Sequence, residues 1–263
     1  MLLLECLLDL IRFLLGAALF SFMNVVAWRL PRSMDPLQGR SHCPQCGHTL
    51  GAPDLVPVFS WLLLRGRCRH CGARIPVRYF LVEVLGGVLA LGCTRRFGPA
   101  LSLTQGLFGM SWAALTALAV CGILLSVALI DAETQLIPDR LNLALAVCGV
   151  LGTLLSPAGC LPHLIGAFCV SVPMLLLCLV IDGAFGGGDI KLMAAAGLFL
   201  GWQNTLLAMF LGILGGGLYG IWLLAAKRAD KKDHFAFGPF LCAGIVIAML
   251  FGEPILQWYC AFL

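Results

Sequence analysis

Residues 97–131 read FGPALSLTQGLFGMSWAALTALAVCGILLSVALID, and from Phe97 to Ile130 the chain carries no charge until Asp131. A helix needs about 20 apolar residues to cross a bilayer core, so this stretch holds a short turn and one complete span. A carboxylate in or beside a span costs about 2.5–3.5 kcal/mol on insertion scales and is rare without a task. Asp131 opens a turn-like run, DAETQLIPD, that closes on Asp139. A second carboxylate stands in similar surroundings, Asp189, directly after Gly186, Gly187 and Gly188.

Outward from this stretch the pattern repeats. Of 263 residues 60% are hydrophobic and 11% charged, whereas a soluble domain carries about a quarter charged residues. The expected fold is an all-α polytopic membrane protein with about eight transmembrane helices and a small cytoplasmic zinc-binding loop domain. Residues 1–28 supply the first span, from near Arg12 to Trp28. It runs on into Trp28-Arg29-Leu30-Pro31-Arg32 rather than a small-residue cleavage site, so it reads as retained. Residues 29–78, rich in Pro, Gly, Arg, Cys and His, form the polar loop domain, and 79–263 the membrane core. Phe80–Cys93 begins a second span, interrupted only by Glu83, and 97–130 gives the third. Leu141–Ile181 is uncharged and too long for one crossing, and Ser156-Pro157-Ala158-Gly159 divides it into two. Leu192–Ala226 breaks at Gly201–Asn204 into a short sixth and a longer seventh span, and Phe237–Gly252 makes the eighth.

Charge placement orients the spans. Arg29, Arg32, Arg40, Arg65, Arg67, Arg69, Arg74 and Arg78 crowd the first loop, and Lys227, Arg228, Lys231 and Lys232 crowd a late one. Clustered Lys and Arg mark cytoplasmic loops, so the net charge of +4 reads as a topology signal and not as a nucleic-acid surface. With an outside N-terminus only Arg12, Arg95 and Arg96 fall outside, against fourteen inside. Asp131 and Asp189 then share the inner face.

Two carboxylates that meet can share one proton, because mutual repulsion keeps one protonated while the other is ionised. Such a pair activates water as base and protonates the carbonyl or leaving amine as acid. Pro138 suits a helix restart, and Gly186 and Gly188 let backbone approach a substrate closely. Broken backbone at membrane depth is tolerated where it lines a protein cavity. The plainer reading is that these acids only cap the next helix; for Asp139, followed by Arg140, both readings stay open. Glu133 and Asp182 read as interfacial or supporting groups.

Thirteen cysteines divide into two kinds. Nine are scattered in or beside apolar stretches, where a thiol is usually a small hydrophobe. The other four, Cys43, Cys46, Cys68 and Cys71, form two Cys-x-x-Cys pairs separated by 21 residues. A reducing cytoplasmic loop favours metal over disulfide, and two such pairs suit structural tetrahedral zinc. His42, His48 and His70 are possible substitute ligands.

These residues together resemble a known family. The stretch Ser21–Pro31, the Cys-x-x-Cys loop, Val56–Cys68, Arg78–Glu83, Gly188–Met193 and Phe237–Phe240 are similar to the motifs of type IV prepilin peptidases, intramembrane aspartic proteases of the GxGD type. One departure is Phe20, where the family usually has glycine before Ser21. The resemblance implies that Asp131 and Asp189 are the catalytic pair, with Gly186, Gly188, Pro138 and Asp139 supporting them. It implies a multi-pass protein of the bacterial cytoplasmic (inner) membrane, acting on prepilins or pseudopilins beside the lipid bilayer. It also implies N-methylation of the new N-terminal residue with S-adenosylmethionine, a donor for which no strand–GxGxxG–helix unit is present. A basic leader is expected to be steered towards Glu133, Asp182 or lipid headgroups.

Three rivals fit less well. Presenilin-type proteases have tyrosine before the first aspartate, where Ile130 stands here, and lack the cysteine loop. A transporter would show inverted repeats and midplane acids. A pilus-assembly scaffold that binds without cutting would not need the aspartates.

Overall fold

The computed structural model describes residues 2–99, 105–155, 159–181, 183–226 and 235–261. The chain divides into two compact units, Met1–Leu118 and Ala119–Leu263.

In the first unit, helix α1 (Leu2–Arg29) packs along α3 (Val77–Phe97). Small residues govern how closely they approach. A Cβ on Gly16 would overlap the Gly86 carbonyl, and one on Gly86 would stand 2.5 Å from the Phe20 ring. Close backbone approach through glycine is how apolar helices gain dispersion contact where water gives no drive. Phe20, the departure noted above, is fully buried. The missing side chain of Gly86 makes its room.

Between these helices the loop carries the short helix α2 (Phe59–Leu63) and little other regular structure. It is fixed to them by a residue that the sequence presents as an interruption. Glu83, buried in α3, accepts hydrogen bonds from Ser21 Oγ on α1 and from the Val58 backbone N–H just before α2, both at 2.7 Å. After α3 a tight hairpin pairs β1 (Gly106–Leu107) with β2 (Met110–Ser111). Arg12 reaches from α1 to the Gly109 carbonyl at 2.7 Å. Ser111 Oγ then accepts from the Ala114 N–H and caps α4 (Trp112–Thr134).

The second unit is built around α8 (Gly187–Leu200), which packs with α5 (Asp139–Leu155), α6 (Leu161–Cys169), α7 (Ser171–Val180), α9 (Trp202–Ala225) and α10 (Gly238–Cys260). Gly166 and Gly197 repeat the close-approach device, since a Cβ on either would overlap the other's carbonyl. Thr153 Oγ1 donates to the Leu198 carbonyl at 2.9 Å, and His163 Nδ1 lies 2.9 Å from the same oxygen. That ties α5 and α6 to the far end of α8.

Helices stand where all eight spans are expected. Among the described residues five helices are long and apolar enough to cross: Val77–Phe97, Trp112–Thr134, Leu161–Val180 (α6 and α7 together), Trp202–Ala225 and Gly238–Cys260. α5 has 17 residues and α8 has 14, or about 25 and 21 Å at a rise of about 1.5 Å per residue, against a core of about 30 Å. α1 carries Glu5, Asp9 and Arg12 in its first half. The break at 156–158, Asp182 and the basic stretch 227–234 lie outside the described residues.

Candidate active site and metal centre

Asp131 is expected in a turn but lies in the last turn of α4, where it is buried and its own carbonyl accepts from the Gln135 N–H at 2.8 Å. Its side chain points at the start of another helix. Oδ2 accepts a hydrogen bond from the Gly238 N–H, the first residue of α10, at 2.9 Å. A Cβ at Gly238 would stand only 2.6 Å from that oxygen. Any side chain here would have to displace the carboxylate.

Asp189 occupies the first turn of α8, with its N–H bonded to the Gly186 carbonyl at 3.0 Å. A Cβ on Gly186 would come within 3.1 Å of Asp189 Oδ2. Gly188 serves a different contact: a Cβ there would meet Ile137 Cβ at 2.9 Å, and its carbonyl lies 3.5 Å from Asn142 Nδ2. Those contacts set the start of α8 against the 135–138 turn. Pro138 accepts from the Leu141 and Asn142 N–H groups at 3.0 and 3.4 Å and so opens α5.

Both carboxylates belong to the second unit, as does the buried Cys242, one turn into α10. One faces the N-terminus of α10 and the other sits in the first turn of α8. A helix N-terminus carries roughly half a positive charge, worth about 0.3–1 kcal/mol to a nearby anion. Two of them offset part of the cost of holding one acid buried and the other half-buried.

Asp139 stands apart from the pair. It is exposed and forms an ion pair with Lys191 Nζ at 2.7 Å, joining the start of α5 to α8 two residues beyond Asp189. Glu133 is exposed, and Asp182 lies outside the described residues.

In the first unit the four expected cysteines converge. The Sγ atoms of Cys43, Cys46, Cys68 and Cys71 all lie within 4.8 Å of one another, and those of Cys43 and Cys71 are 3.9 Å apart. Two matching knuckles bring them together. The Gly47 N–H bonds the Cys43 carbonyl at 2.9 Å and the Gly72 N–H the Cys68 carbonyl at 3.0 Å, both glycines having positive φ. Isolated bridges His42–Thr49 and Arg67–Arg74 close each knuckle. The rings of His48 and His70 lie 3.5 Å apart between centroids, tilted by 35°, and neither joins the sulfur cluster. None of the thirteen cysteines forms a disulfide.

This cluster fits a tetrahedral ion. Bonds of about 2.3 Å to zinc set sulfurs about 3.8 Å apart. The backbone N–H groups of Cys46 and Gln45 bring Cys43 down to about 6. The Ala73 N–H favours the Cys71 thiolate, but burial and the neighbouring thiols Cys68, Cys46 and Cys43 push it up to about 11. Four thiols this close cannot all ionise without a cation among them.

Two groups of contacts escaped the sequence reading. Gly238 sits inside the Phe237–Phe240 motif, and its Gly-Pro start is the one signal that could have drawn notice to it. Glu83 reads as a charge in a span, yet its partners lie 62 and 25 residues away.

Residues 14–97 match the bacterial Peptidase A24 N-terminal domain, and residues 118–221 match the type IV leader peptidase family. Over 271 residues the chain is 35% identical to a prepilin leader peptidase/N-methyltransferase of Burkholderia pseudomallei, covering 91% of this chain and 84% of the relative. A protein of the same name from Aeromonas salmonicida is 33% identical, with 94% and 92% covered. One from Bacillus subtilis is 31% identical, with 95% and 96% covered. No solved structure matches the chain.

Proposed function

This chain belongs to the type IV leader peptidase family, and on that premise we propose that it removes the basic leader from prepilins or pseudopilins and methylates the new N-terminus. Membership favours this reading over a transporter or a non-cutting scaffold. The observation that carries the peptidase half is that one unit sets both acids at helix ends, Asp131 bonded to the first N–H of α10 and Asp189 in the first turn of α8.

We assign the two aspartates as the catalytic pair. One, ionised, takes a proton from a water molecule that attacks the scissile carbonyl. The other, protonated, donates to the carbonyl oxygen and then to the leaving amine. The Gly238 N–H holds Asp131 Oδ2, which leaves Oδ1 to handle the proton. Gly186 and Gly188 keep side chains away from the approach to Asp189. Pro138 and Asp139 support the site by starting α5 and holding Lys191 beside α8.

The substrate's apolar helix lies in the bilayer while its leader stays in the cytoplasm, so the chain works as a multi-pass protein of the bacterial inner membrane. The domain assignment follows: residues 1–28 as a first span, 29–78 as the cytoplasmic metal loop and 79–263 as the protease core. Cys43, Cys46, Cys68 and Cys71 hold a structural zinc, which would cross-link the two knuckles. S-adenosylmethionine serves as methyl donor.

The deciding experiment is cleavage of a prepilin in membranes carrying the wild-type chain, Asp131→Asn or Asp189→Asn, read by mass of the product N-terminus. Loss of cleavage in both variants at normal expression supports the pair. Continued cleavage by either removes that aspartate from the mechanism.

A further inference from the structure

The methyl-transfer half of the proposed function requires groups that bind an amine and take its proton, and Asp131 and Asp189 are assigned to cleavage. The first unit contains a buried acid that cleavage does not use. Glu83 accepts from Ser21 Oγ and from the Val58 N–H, both neutral donors. An ionised carboxylate offers about four lone-pair positions, so about half its accepting capacity is left over. A buried carboxylate without a cation is costly to keep. One turn along α1 from Ser21, on the same helix face, the Asn24 amide is buried and its Nδ2 has no acceptor among the described residues. Val58, a β-branched residue, is held at φ 65° while its N–H meets Glu83. Backbone in that region is maintained only where its surroundings impose it. Ser21 is half-buried, which opens the cluster to a ligand.

The two open capacities describe one kind of ligand, a cation with an acceptor oxygen close by. A metal ion would satisfy Glu83 but not a donor amide. A primary α-amine beside a carbonyl satisfies both: the ammonium meets Glu83 and the carbonyl oxygen meets Asn24 Nδ2. We propose that Glu83, with Asn24, binds an α-ammonium group in the methyl-transfer reaction and takes its proton. Two molecules in that reaction carry such a group, the newly cut polypeptide and the amino-acid end of the methyl donor. If the polypeptide is bound, its N-terminal ammonium gives one proton to the Glu83 carboxylate. The freed nitrogen lone pair forms the N–C bond to the donor's methyl group as the methyl–sulfur bond breaks. The sulfur keeps that bonding pair and leaves as a neutral thioether, and the product is a secondary ammonium.

The test uses the full-length chain in membranes with an intact prepilin, and separately with a pre-cut peptide as methyl acceptor. Glu83→Gln is expected to keep leader release within about twofold while methylation falls by about 100-fold, the loss typical of a missing proton acceptor. Asn24→Ala, which removes no hydrogen bond among the described residues, is expected to raise a KM by about tenfold at similar kcat. A raised KM for the pre-cut peptide places the polypeptide N-terminus at Glu83. A raised KM for the methyl donor places the donor's amino group there instead and overturns the proton-accepting role of Glu83. Methylation within about twofold of wild type in Glu83→Gln overturns the assignment. If Glu83→Gln loses both activities together, Asn24→Ala decides, and unchanged methylation kinetics there overturn it. Absence of methylation by the wild-type chain, with cleavage intact, overturns the methyl-transfer reading and this assignment with it.

Discussion

The backbone N–H of Gly238 is bonded to Asp131 Oδ2 at 2.9 Å, across 107 residues of sequence. The contact joins the last turn of α4 to the first residue of α10 and aims a helix N-terminus at the acid. Because a Cβ at position 238 would stand 2.6 Å from that oxygen, even one methyl must displace the carboxylate. Gly238→Ala is therefore expected to lower leader cleavage by about 100-fold, the scale of a misplaced catalytic group. Expression and zinc content should remain normal. Initial rates on a prepilin in membranes measure it, and cleavage within a few-fold of wild type would show that Asp131 tolerates the shift.

Asp131→Asn and Asp189→Asn should each reduce cleavage by about 1000-fold or more, since an amide neither accepts the water proton nor donates one in its place. The double variant should be scarcely worse than either single one, because residues that act as a unit are not additive. Both single variants should still methylate a pre-cut peptide. Rates for the three variants side by side check the point.

Asp139 invites a milder expectation. Its partner Lys191 is exposed, as it is itself, and exposed ion pairs contribute about 0–1 kcal/mol. Asp139→Asn should change cleavage by no more than about threefold, with the effect shrinking as salt is raised. A loss comparable to that of Asp131→Asn would move Asp139 into the catalytic machinery.

What the sequence makes legible here depends on contrast. Asp131 closes a run without charge, and Asp189 follows three glycines in similar surroundings, so each stands out. The cysteine pairs stand out by spacing, and the knuckle geometry agrees with it down to the glycines at 47 and 72. Contacts between distant segments leave no such mark. The bond from Gly238 uses only a backbone N–H, which every residue but proline has. The role of Glu83 depends on Ser21 and Val58, whose approach is decided by how α1 meets α3. Phe20 looks like a flaw until Gly86 is found opposite. Helix length is set by contacts of the same kind: composition marks α8 as apolar, but only the fold shows that it ends at Leu200, before Gly201.

The Phe20–Gly86 fit can be tested by disturbing either side. Gly86→Val places two methyl groups against a fully buried ring and the backbone of α1, and overpacking of this kind costs about 1–3 kcal/mol. Phe20→Ala leaves a void instead, at about 3–5 kcal/mol. Both should lower the thermal unfolding midpoint of the detergent-solubilised chain. Phe20→Ala should partly rescue Gly86→Val when the two are combined, because it removes the ring that the valine meets. Strictly additive losses would show that the two residues do not share one contact.

Zinc should be present at about one ion per chain, as a closed four-sulfur site holds a single tetrahedral ion. Its binding carries a definite pH sign. The ligands must be thiolates, and burial with the neighbouring thiols pushes Cys71 up while backbone N–H groups bring Cys43 down. At neutral pH the metal must therefore displace at least the Cys71 proton, so loading releases protons and affinity falls as pH is lowered. Competition with a chromophoric chelator at pH 6, 7 and 8 should show retention rising with pH, and Cys43→Ser or Cys68→Ser should abolish it. Removal of zinc should loosen the knuckles first, seen as faster hydrogen exchange at the Gly47 and Gly72 amides, whose hydrogen bonds to Cys43 and Cys68 close the two turns. Retention independent of pH, or intact in Cys68→Ser, would mean that the ion sits on other donors.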